Sequence, residues 1–338
     1  MLTTQILGTG IGMPATALES TAWDHEYGKP EGWLEGACGV AVRKVAKGAG
    51  ETQEMLAVAA AREALVDADM AAESLDLILF CAAVGRQPIP STAPLIKGLL
   101  GIEARSVAAY DVNATCLGAL VAMDVADMHI RTGRAQRVLV VSSEIASRGL
   151  PWADDPATAG LFGDGAGAIV LGGVQTQSEE VAGGLRIVDF AMETWPEGYE
   201  HCQLGAGGTR FDFATEAKQF ADHSVFRMDG HNLFRLSRKR VPEFVQGLLA
   251  KSGWQVDDVD LVVPHQASPL ALEHMVRRCG FAPERVVDTV RQTGNLISAS
   301  LPVTLHKARE ERRIGEGAKV LMVGTSAGVS VAGMTLLG

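Results

Sequence analysis

The chain has 338 residues, of which 47% are hydrophobic and 21% are charged, and its formal net charge at pH 7 is −10. This hydrophobic fraction excludes a disordered chain and is enough for one large core or for two domains of ordinary size. The negative charge argues against nucleic acid as the main partner, because the binding of phosphates needs a cationic surface.

The cysteine spacing and the N-terminal sequence indicate a reduced, cytoplasmic protein. The five cysteines contain no C-x-x-C pair, which argues against a disulfide framework and against a zinc site. The first residues, MLTTQILGTG, lack the basic and apolar regions of a secretory signal peptide. We therefore expect a cytoplasmic protein that holds no metal ion.

Short runs typical of strands alternate with longer helical runs along the chain. In chain order, strands are predicted at residues 76–84, 137–143, 165–174, 260–266 and 319–326. Helices are predicted at residues 51–68, 117–133 and 231–253. The strands are rich in Val, Ile and Leu, as are strands that are buried on both faces. This alternation predicts an α/β fold in which helices cover a sheet.

Three glycine-rich segments allow more than one interpretation. Residues 8–14 (GTGIGMP) and 163–168 (GDGAGA) have neither the G-x-G-x-x-G pattern nor a trailing G-K-[S/T], so we interpret both as close-packed turns. Residues 320–338 carry no charge and are long enough to cross a membrane. Because glycines interrupt that segment, it predicts two buried strands joined by a turn and no membrane span.

Two pairs of segments indicate a weak internal duplication. Residues 131–143 resemble residues 312–325 with an offset of 182, and residues 74–84 resemble residues 258–268 with an offset of 184. Strands rich in valine also resemble one another without common origin, but two pairs in nearly the same register favour a duplication.

The duplication predicts two halves, residues 1–175 and residues 176–338, that face each other. The shared offset aligns the sequence around Cys116 with that around Asn295, so both halves would contribute to one central site. Cys116 begins a predicted helix, whose positive end lowers a thiol pKa and whose free N–H groups can bind an oxyanion. His265 follows a predicted strand and, like the Asn295 amide, can donate a hydrogen bond. A lone buried cysteine is usually inert, so only the combination predicts a catalytic site.

The motifs around these residues resemble one known family. They are GTGIGMP, DVNATCLGAL, FGDGAGAIVL, VVPHQAS and TGNLISAS, and together they resemble the β-ketoacyl-acyl-carrier-protein synthase III family of thiolase-fold condensing enzymes over essentially the whole chain. The resemblance implies a thiolase fold, with two similar halves in a layered α-β-α-β-α arrangement.

The resemblance also implies a catalytic triad of Cys116, His265 and Asn295. In the family the cysteine takes an acyl group from acyl-CoA, and a malonyl thioester, on acyl carrier protein or on CoA, then loses CO₂. The histidine and the asparagine stabilise the enolate that results, which attacks the acyl-cysteine to give a β-ketoacyl product. Acyl-CoA is a substrate here, and no cofactor is implied.

Further residues match the family by position. The backbone N–H groups of Cys116 and of Ala327 or Gly328 match the oxyanion donors, Trp33 matches the residue that stacks on the CoA adenine, and Arg148 matches an arginine at the CoA entrance. The family forms homodimers, in which the loop at residues 87–91, with Ile89, would reach the acyl pocket of the partner.

Three departures from the family pattern concern the substrates. Ala37 and Leu270 stand where the family commonly has arginines for CoA and for the acidic carrier protein, and the C-terminal run GTSAGVSVAG lacks the bulky aromatic residues of the family. A basic run offers Arg235, Arg238, Lys239 and Arg240 for carrier docking, although such a run is also typical of a solvated helix face.

Two other functions stay open at this point. Relatives with the same triad join two acyl chains head to head or transfer an acyl group to a hydroxyl or an amine. The head-to-head enzymes use a glutamate before a proline in the dimer loop, where this chain has Ile89 before Pro90. A non-enzymatic partner subunit is the third possibility, but such subunits usually lack the nucleophile that Cys116 provides.

Overall fold

A computed structural model describes residues 2–175 and 184–338 of the chain. The strands are β1 (Leu2–Gly12), β2 (Ala17–Glu19), β3 (Val42–Lys44), β4 (Leu77–Cys81), β5 (Ala108–Asp111), β6 (Arg137–Glu144), β7 (Gly165–Gln175), β8 (Leu185–Thr194), β9 (Cys202–Gln203), β10 (Arg227–Met228), β11 (Leu261–Pro264), β12 (Lys319–Ser326) and β13 (Ser330–Leu337). The helices are α1 (Ser20–Glu26), α2 (Trp33–Cys38), α3 (Gln53–Asp67), α4 (Ala93–Leu99), α5 (Gly118–Arg131), α6 (Pro156–Ala159), α7 (Ala217–Asp222), α8 (Gly230–Lys251), α9 (Pro269–Cys279), α10 (Val290–Thr293) and α11 (Ser300–Glu310).

The central sheet joins the two halves of the chain. Across the described ranges it has nine strands in the order β11-β12-β13-β8-β1-β7-β6-β4-β5. Strands β4 and β6 pair in parallel in the first half, as β11 and β12 do in the second. Among the described residues, two pairs connect β1 with β8, where the halves meet. Each half therefore has its own group of strands, and the connection between the groups is short.

Helices cover both groups of strands in layers. Helices α3 and α4 pack with β4, β6 and β7 in one apolar cluster, and α8 and α9 pack with β11 and β12 in another. Between them, the buried faces of α5 and α11 contact strands of both halves. The order of layers is helix, sheet, helix, sheet, helix, as the resemblance implies, and burial of these apolar faces is the main stabilising contribution.

The elements predicted from the sequence are present with small shifts at their ends. The strand predicted at 76–84 is β4, which is shorter, and the helix predicted at 231–253 is α8, which begins and ends within two residues of the prediction. The uncharged C-terminal segment forms the antiparallel pair β12 and β13, so the prediction of two buried strands is confirmed. Among the described residues, no helix is both long enough and apolar enough to span a membrane.

The prediction of a close-packed turn at residues 8–14 is wrong, because most of that segment belongs to β1. Its glycines alternate, so all three lie on the same face of the strand, against α3. A Cβ atom on Gly8, Gly10 or Gly12 would lie 2.3, 2.4 or 2.1 Å from a backbone oxygen of that helix. The glycines therefore serve close packing between a strand and a helix.

The predicted duplication is visible in backbone hydrogen bonds. The Asp76 carboxylate accepts the N–H of Arg137 at 2.9 Å, and the Asp260 carboxylate accepts the N–H of Lys319 at 2.8 Å. These bonds join the start of β4 to β6 and the start of β11 to β12, at the offsets found in the sequence. The predicted boundary after residue 175 falls beside residues 176–183, which lie outside the described ranges, and it stays a prediction.

Candidate active site

The turn that carries the candidate nucleophile is held by its own asparagine. The Asn113 side-chain oxygen accepts the N–H of Thr115 at 2.9 Å, and the Asn113 amide donates to the carbonyl of Ala83 at 3.2 Å. Thr115 has a φ of 53°, which is unfavourable for a β-branched residue. Cys116 follows this strained residue, in a single 3₁₀ turn that leads into α5.

The second half repeats this turn with Asn295. Its side-chain oxygen accepts the N–H of Ile297 at 2.8 Å, and its amide donates to the carbonyl of Ala267 at 3.2 Å. Ile297 has a φ of 52°. We call residues 113–117 the Cys116 turn and residues 295–299 the Asn295 turn. Their matching bonds and dihedral angles confirm the similarity that the sequence predicts.

Asn295 is fixed by segments from both halves. Its N–H donates to the carbonyl of Leu161 at 2.7 Å, and its carbonyl accepts the N–H of Gly163 at 3.2 Å. The GDGAGA segment thus anchors Asn295 through Gly163. The interpretation of residues 163–168 as a close-packed turn is wrong for residues 165–168, which belong to β7. One proton of the Asn295 amide is used by Ala267, which leaves the second proton for a ligand.

His265 lies immediately after β11 and is only 7% exposed. The backbone N–H of His265 donates to the carbonyl of Val323 at 2.8 Å. Its Nδ1 atom has no hydrogen-bond partner among the described residues. Burial lowers the pKa of the imidazole to about 4, so the side chain is neutral near pH 7 and carries one N–H group.

Two close approaches bring the three candidate residues together. A Cβ on Gly118, two residues after Cys116, would lie 2.8 Å from the Ser298 hydroxyl oxygen in the Asn295 turn. A Cβ on Gly324 would lie 2.7 Å from the Cβ of His265 and 3.1 Å from a methyl group of Leu117. The absence of side chains at these two glycines lets the Cys116 turn, the Asn295 turn and His265 meet.

The Cys116 thiol has a raised pKa, mainly because it is buried. The backbone N–H of Ala327 and that of Cys116 itself act on the thiol and lower its pKa, but they are the smaller effect. The expectation that the helix start lowers this pKa is therefore wrong in direction, because burial outweighs the backbone N–H groups. The Ala327 N–H thus lies close to the thiol, and its role as an oxyanion donor stays a prediction.

Two further ionisable side chains near Cys116 were not predicted. Charges on Cys202 and Glu144 would both raise the pKa of the Cys116 thiol. Glu144 is the last residue of β6, one position beyond the predicted strand, and a carboxylate that ends an apolar strand is the signal that could have revealed it. Cys202 has no such signal, because it lies in β9, a strand of only two residues that the sequence pattern does not predict.

A cavity opens beside His265, between α8 and α9. Its lining is mostly apolar and includes the basic residues Arg238 and Arg278. The predicted docking residues Arg235, Arg238 and Lys239 are all exposed on α8, and within the described ranges none of the three forms an ion pair. Leu270, in place of the arginine of the family, is 69% exposed.

The predicted CoA and dimer residues lie at the surface. Trp33 is 36% exposed and stacks on Trp23, with ring centroids 6.0 Å apart. The ammonium group of Lys29 lies 5.1 Å from the Trp33 ring. Arg148 is exposed, and Ile89 is 87% exposed.

Comparisons with known proteins agree with this arrangement. Two family models match: 3-oxoacyl-[acyl-carrier-protein (ACP)] synthase III matches residues 110–194, and the C-terminal part of the same family matches residues 249–337. β-Ketoacyl-[acyl-carrier-protein] synthase III of Aquifex aeolicus is 32% identical to this chain, over 97% of each sequence. The chain belongs to the 3-oxoacyl-[acyl-carrier-protein] synthase III family.

Further synthase III proteins support the assignment. The β-ketoacyl-[acyl-carrier-protein] synthase III of Rhizorhabdus wittichii is 35% identical over 92% of each sequence. The crystal structure of 3-oxoacyl-[acyl-carrier-protein] synthase III from Aquifex aeolicus VF5 superposes with a TM-score of 0.85 and 29% identity, and it covers 99% of this chain and 100% of that one. These comparisons confirm the predicted thiolase fold and the predicted enzyme class, an acyltransferase-type condensing enzyme.

Proposed function

We propose that Cys116 is the nucleophile that takes the acyl group from acyl-CoA. Its sulfur attacks the thioester carbonyl, the bond from the carbonyl carbon to the CoA sulfur breaks, and the proton of the Cys116 thiol leaves with CoA as free thiol. The backbone N–H groups of Cys116 and Ala327, with Gly328 beside them, bind the oxyanion that forms during the attack. The acyl group is then held as a thioester on Cys116.

His265 and Asn295 act in the second half of the reaction. A malonyl thioester loses CO₂, and its electron pair forms an enolate whose oxygen accepts hydrogen bonds from the two side chains. The enolate carbon attacks the acyl-Cys116 carbonyl, a carbon–carbon bond forms, and the bond to the cysteine sulfur breaks. The cysteine leaves as a thiolate and takes up one proton from solvent, so that the free thiol and a β-ketoacyl thioester result.

The observation that carries this proposal is the neutral state of the two donors. Uncharged N–H donors stabilise an enolate oxygen through hydrogen bonds. Burial keeps the His265 imidazole uncharged near pH 7, so it can act as such a donor. Asn295 has one amide proton free of the described protein acceptors. Head-to-head condensation is less well supported, because Ile89 stands where that reaction needs a carboxylate.

Substitution of the two donors tests this division of roles. His265→Ala and Asn295→Ala should still acquire the acyl group, but decarboxylation of the malonyl thioester should fall about 10²- to 10³-fold for each, the usual effect of losing one oxyanion donor. Intact-mass spectrometry follows the acylation, and release of CO₂ follows the second half. Loss of acylation in both variants, with the fold intact, would contradict these roles.

Trp33 and Arg148 are proposed to hold the nucleotide end of acyl-CoA. The exposed Trp33 ring can stack on a purine. The ammonium group of Lys29, which lies beside that ring, supplies a positive charge in place of the family arginine that is Ala37 here. Trp33→Ala and Arg148→Ala should raise KM for acyl-CoA. With acyl-pantetheine, which lacks the nucleotide, the same variants should match the wild type, and an equal loss with both substrates would contradict the assignment.

Carrier docking is proposed at the rim of the cavity beside His265. Arg235, Arg238 and Lys239 on α8 face solvent, and they provide positive charge on a protein whose net charge is −10. An acidic carrier protein fits such a local patch. Arg235→Glu with Arg238→Glu should raise KM for malonyl-carrier protein and leave KM for malonyl-CoA unchanged; equal effects on the two substrates would overturn the proposal.

A further inference from the structure

Glu144 is a buried carboxyl group that the proposed reaction does not use. It ends β6 and is 2% exposed. Burial raises its pKa to about 8, although backbone N–H groups act in the opposite direction. A buried carboxyl group is unfavourable unless its oxygens accept hydrogen bonds. The hydrogen bonds of Glu144 therefore indicate its role.

One oxygen of Glu144 accepts hydrogen bonds from the Asn295 turn and from the segment that supports the Cys116 turn. Its Oε1 atom accepts the N–H of Ala83 at 2.8 Å and the N–H of Ser298 at 3.4 Å. Ala83 is the residue whose carbonyl receives the Asn113 amide, and Asn113 holds the Cys116 turn. Ser298 belongs to the Asn295 turn. A single carboxyl oxygen thus bonds directly to the Asn295 turn and, through Ala83, supports the Cys116 turn, and the two turns come from different halves of the chain.

The pseudo-symmetry of the halves explains this contact. Ser298 aligns with Cys116 in the duplicated sequence, and Ser326, at the end of β12, aligns with Glu144. At the first site, the segment after β12 supplies the N–H of Ala327 to the Cys116 thiol. At the second site, the end of β6 supplies a carboxyl oxygen to the N–H of Ser298. Each half therefore closes over the turn of the other, and only one of the two sites holds a nucleophilic thiol.

We propose that Glu144 is a positioning residue that fixes the distance between Cys116 and Asn295. Its acceptor oxygen holds the Ala83 segment and the Asn295 turn together, so that the enolate formed at Asn295 meets the acyl group on Cys116. This role rests on the proposed function, and it matters for condensation, which needs both turns. Acylation needs only the Cys116 turn and its N–H groups.

Three variants test this role. Glu144→Ala removes the acceptor oxygen, and Glu144→Gln keeps an oxygen at that position without the charge. Asp76→Ala is the matched control, since Asp76 also accepts two backbone N–H groups, those of Gln136 and Arg137, but at the opposite end of the same strands. Acylation is measured by intact mass, condensation by product formation from pre-acylated enzyme, and stability by thermal melting.

Glu144→Ala should condense about 10- to 100-fold more slowly, the effect of a small misplacement of reacting groups, while its acylation stays within about threefold of the wild type. Glu144→Gln should keep both rates, and Asp76→Ala should lose stability without changing either rate. If Glu144→Ala lost acylation and condensation equally, or condensed at the rate of the wild type, the positioning role would be overturned. A wild type that acylates but never condenses would instead contradict the proposed function.

Glu144→Gln keeps the proposal testable if the alanine variant does not fold. The titratable side chains that interact with Glu144 are Cys81, Cys116 and Asp164. Because a charge on Glu144 raises the pKa of the Cys116 thiol, the glutamine variant should be alkylated at Cys116 at lower pH while condensation is retained. Loss of condensation in this variant would overturn the positioning role.

Discussion

At the scale of single residues, burial decides the protonation of the site. The motifs and their resemblance to a family were enough to select Cys116, His265 and Asn295. They could not show the direction of the thiol pKa, because a sequence reveals that a helix begins at Cys116 but not how deeply the thiol lies. Glu144 was missed for a related reason: its role depends on a contact with Ser298, which is 154 positions away in the chain.

The pKa of His265 predicts how the rate of malonyl decarboxylation depends on pH. Since burial lowers this pKa from 6.5 to about 4, the imidazole stays neutral as the pH falls through 6.5. The stabilisation of the fold by the neutral form is complete above about pH 6.5 and is lost as the pH falls towards 4. Because the His265 pKa is about 4, the decarboxylation rate should be constant between about pH 5.5 and 7.5. An inflection near pH 6.5 in the pH–rate profile, absent from His265→Asn, would contradict this.

At the scale of elements, the buried strands were predictable and the glycine-rich strand was not. Runs of Val, Ile and Leu marked β4, β6, β11 and β12 because both faces of those strands are covered. In β1 the face towards α3 consists of glycines, so its pattern lacks the apolar alternation of a strand. The short distance between that strand and helix is a tertiary property, which local propensity does not reveal.

Alanine substitution measures how close β1 lies to α3. A Cβ at Gly10 would lie 2.4 Å from the Ala60 oxygen and from the Ala64 nitrogen, both rigid backbone atoms, so Gly10→Ala should lower the free energy of unfolding by about 3 kcal/mol or more. Gly247→Ala is the control, because in the described part of the chain nothing outside the backbone of α8 lies within 4 Å of a Cβ at Gly247. This substitution should raise the free energy of unfolding by about 0.5–1 kcal/mol. Denaturant unfolding gives the free energy of unfolding of both variants. Equal values for Gly10→Ala and Gly247→Ala would contradict the close contact between β1 and α3.

At the scale of the whole molecule, we propose a homodimer that forms at the β5 edge of the sheet. β5 is the last strand in the sheet order, so one side of its backbone has no partner strand among the described residues. Unprotected edges of this kind favour pairing with a second chain. The exposed loop at residues 87–91, which the resemblance places at the partner's acyl pocket, precedes that strand. Neither the order of strands nor the free edge could be deduced from the sequence pattern alone.

A charge at the dimer loop tests this assembly. Ile89 is 87% exposed in the single chain, and Ile89→Asp should shift the protein towards monomer, because burial of an unpaired charge is unfavourable. Val66→Asp is the control, since Val66 is 79% exposed on α3. Light scattering after size-exclusion chromatography gives the mass; a monomeric wild type, or equal effects of both substitutions, would contradict the proposed interface.

The most direct test of the account is the mass of the protein after incubation with acyl-CoA. The wild type should gain one acyl group, and peptide mapping should place it on Cys116. Cys116→Ala should gain none, whereas Cys202→Ala, which removes a second thiol near the site, should be acylated like the wild type. An adduct of the same mass on Cys116→Ala, or no adduct on the wild type with any acyl-CoA, would contradict the central role of Cys116.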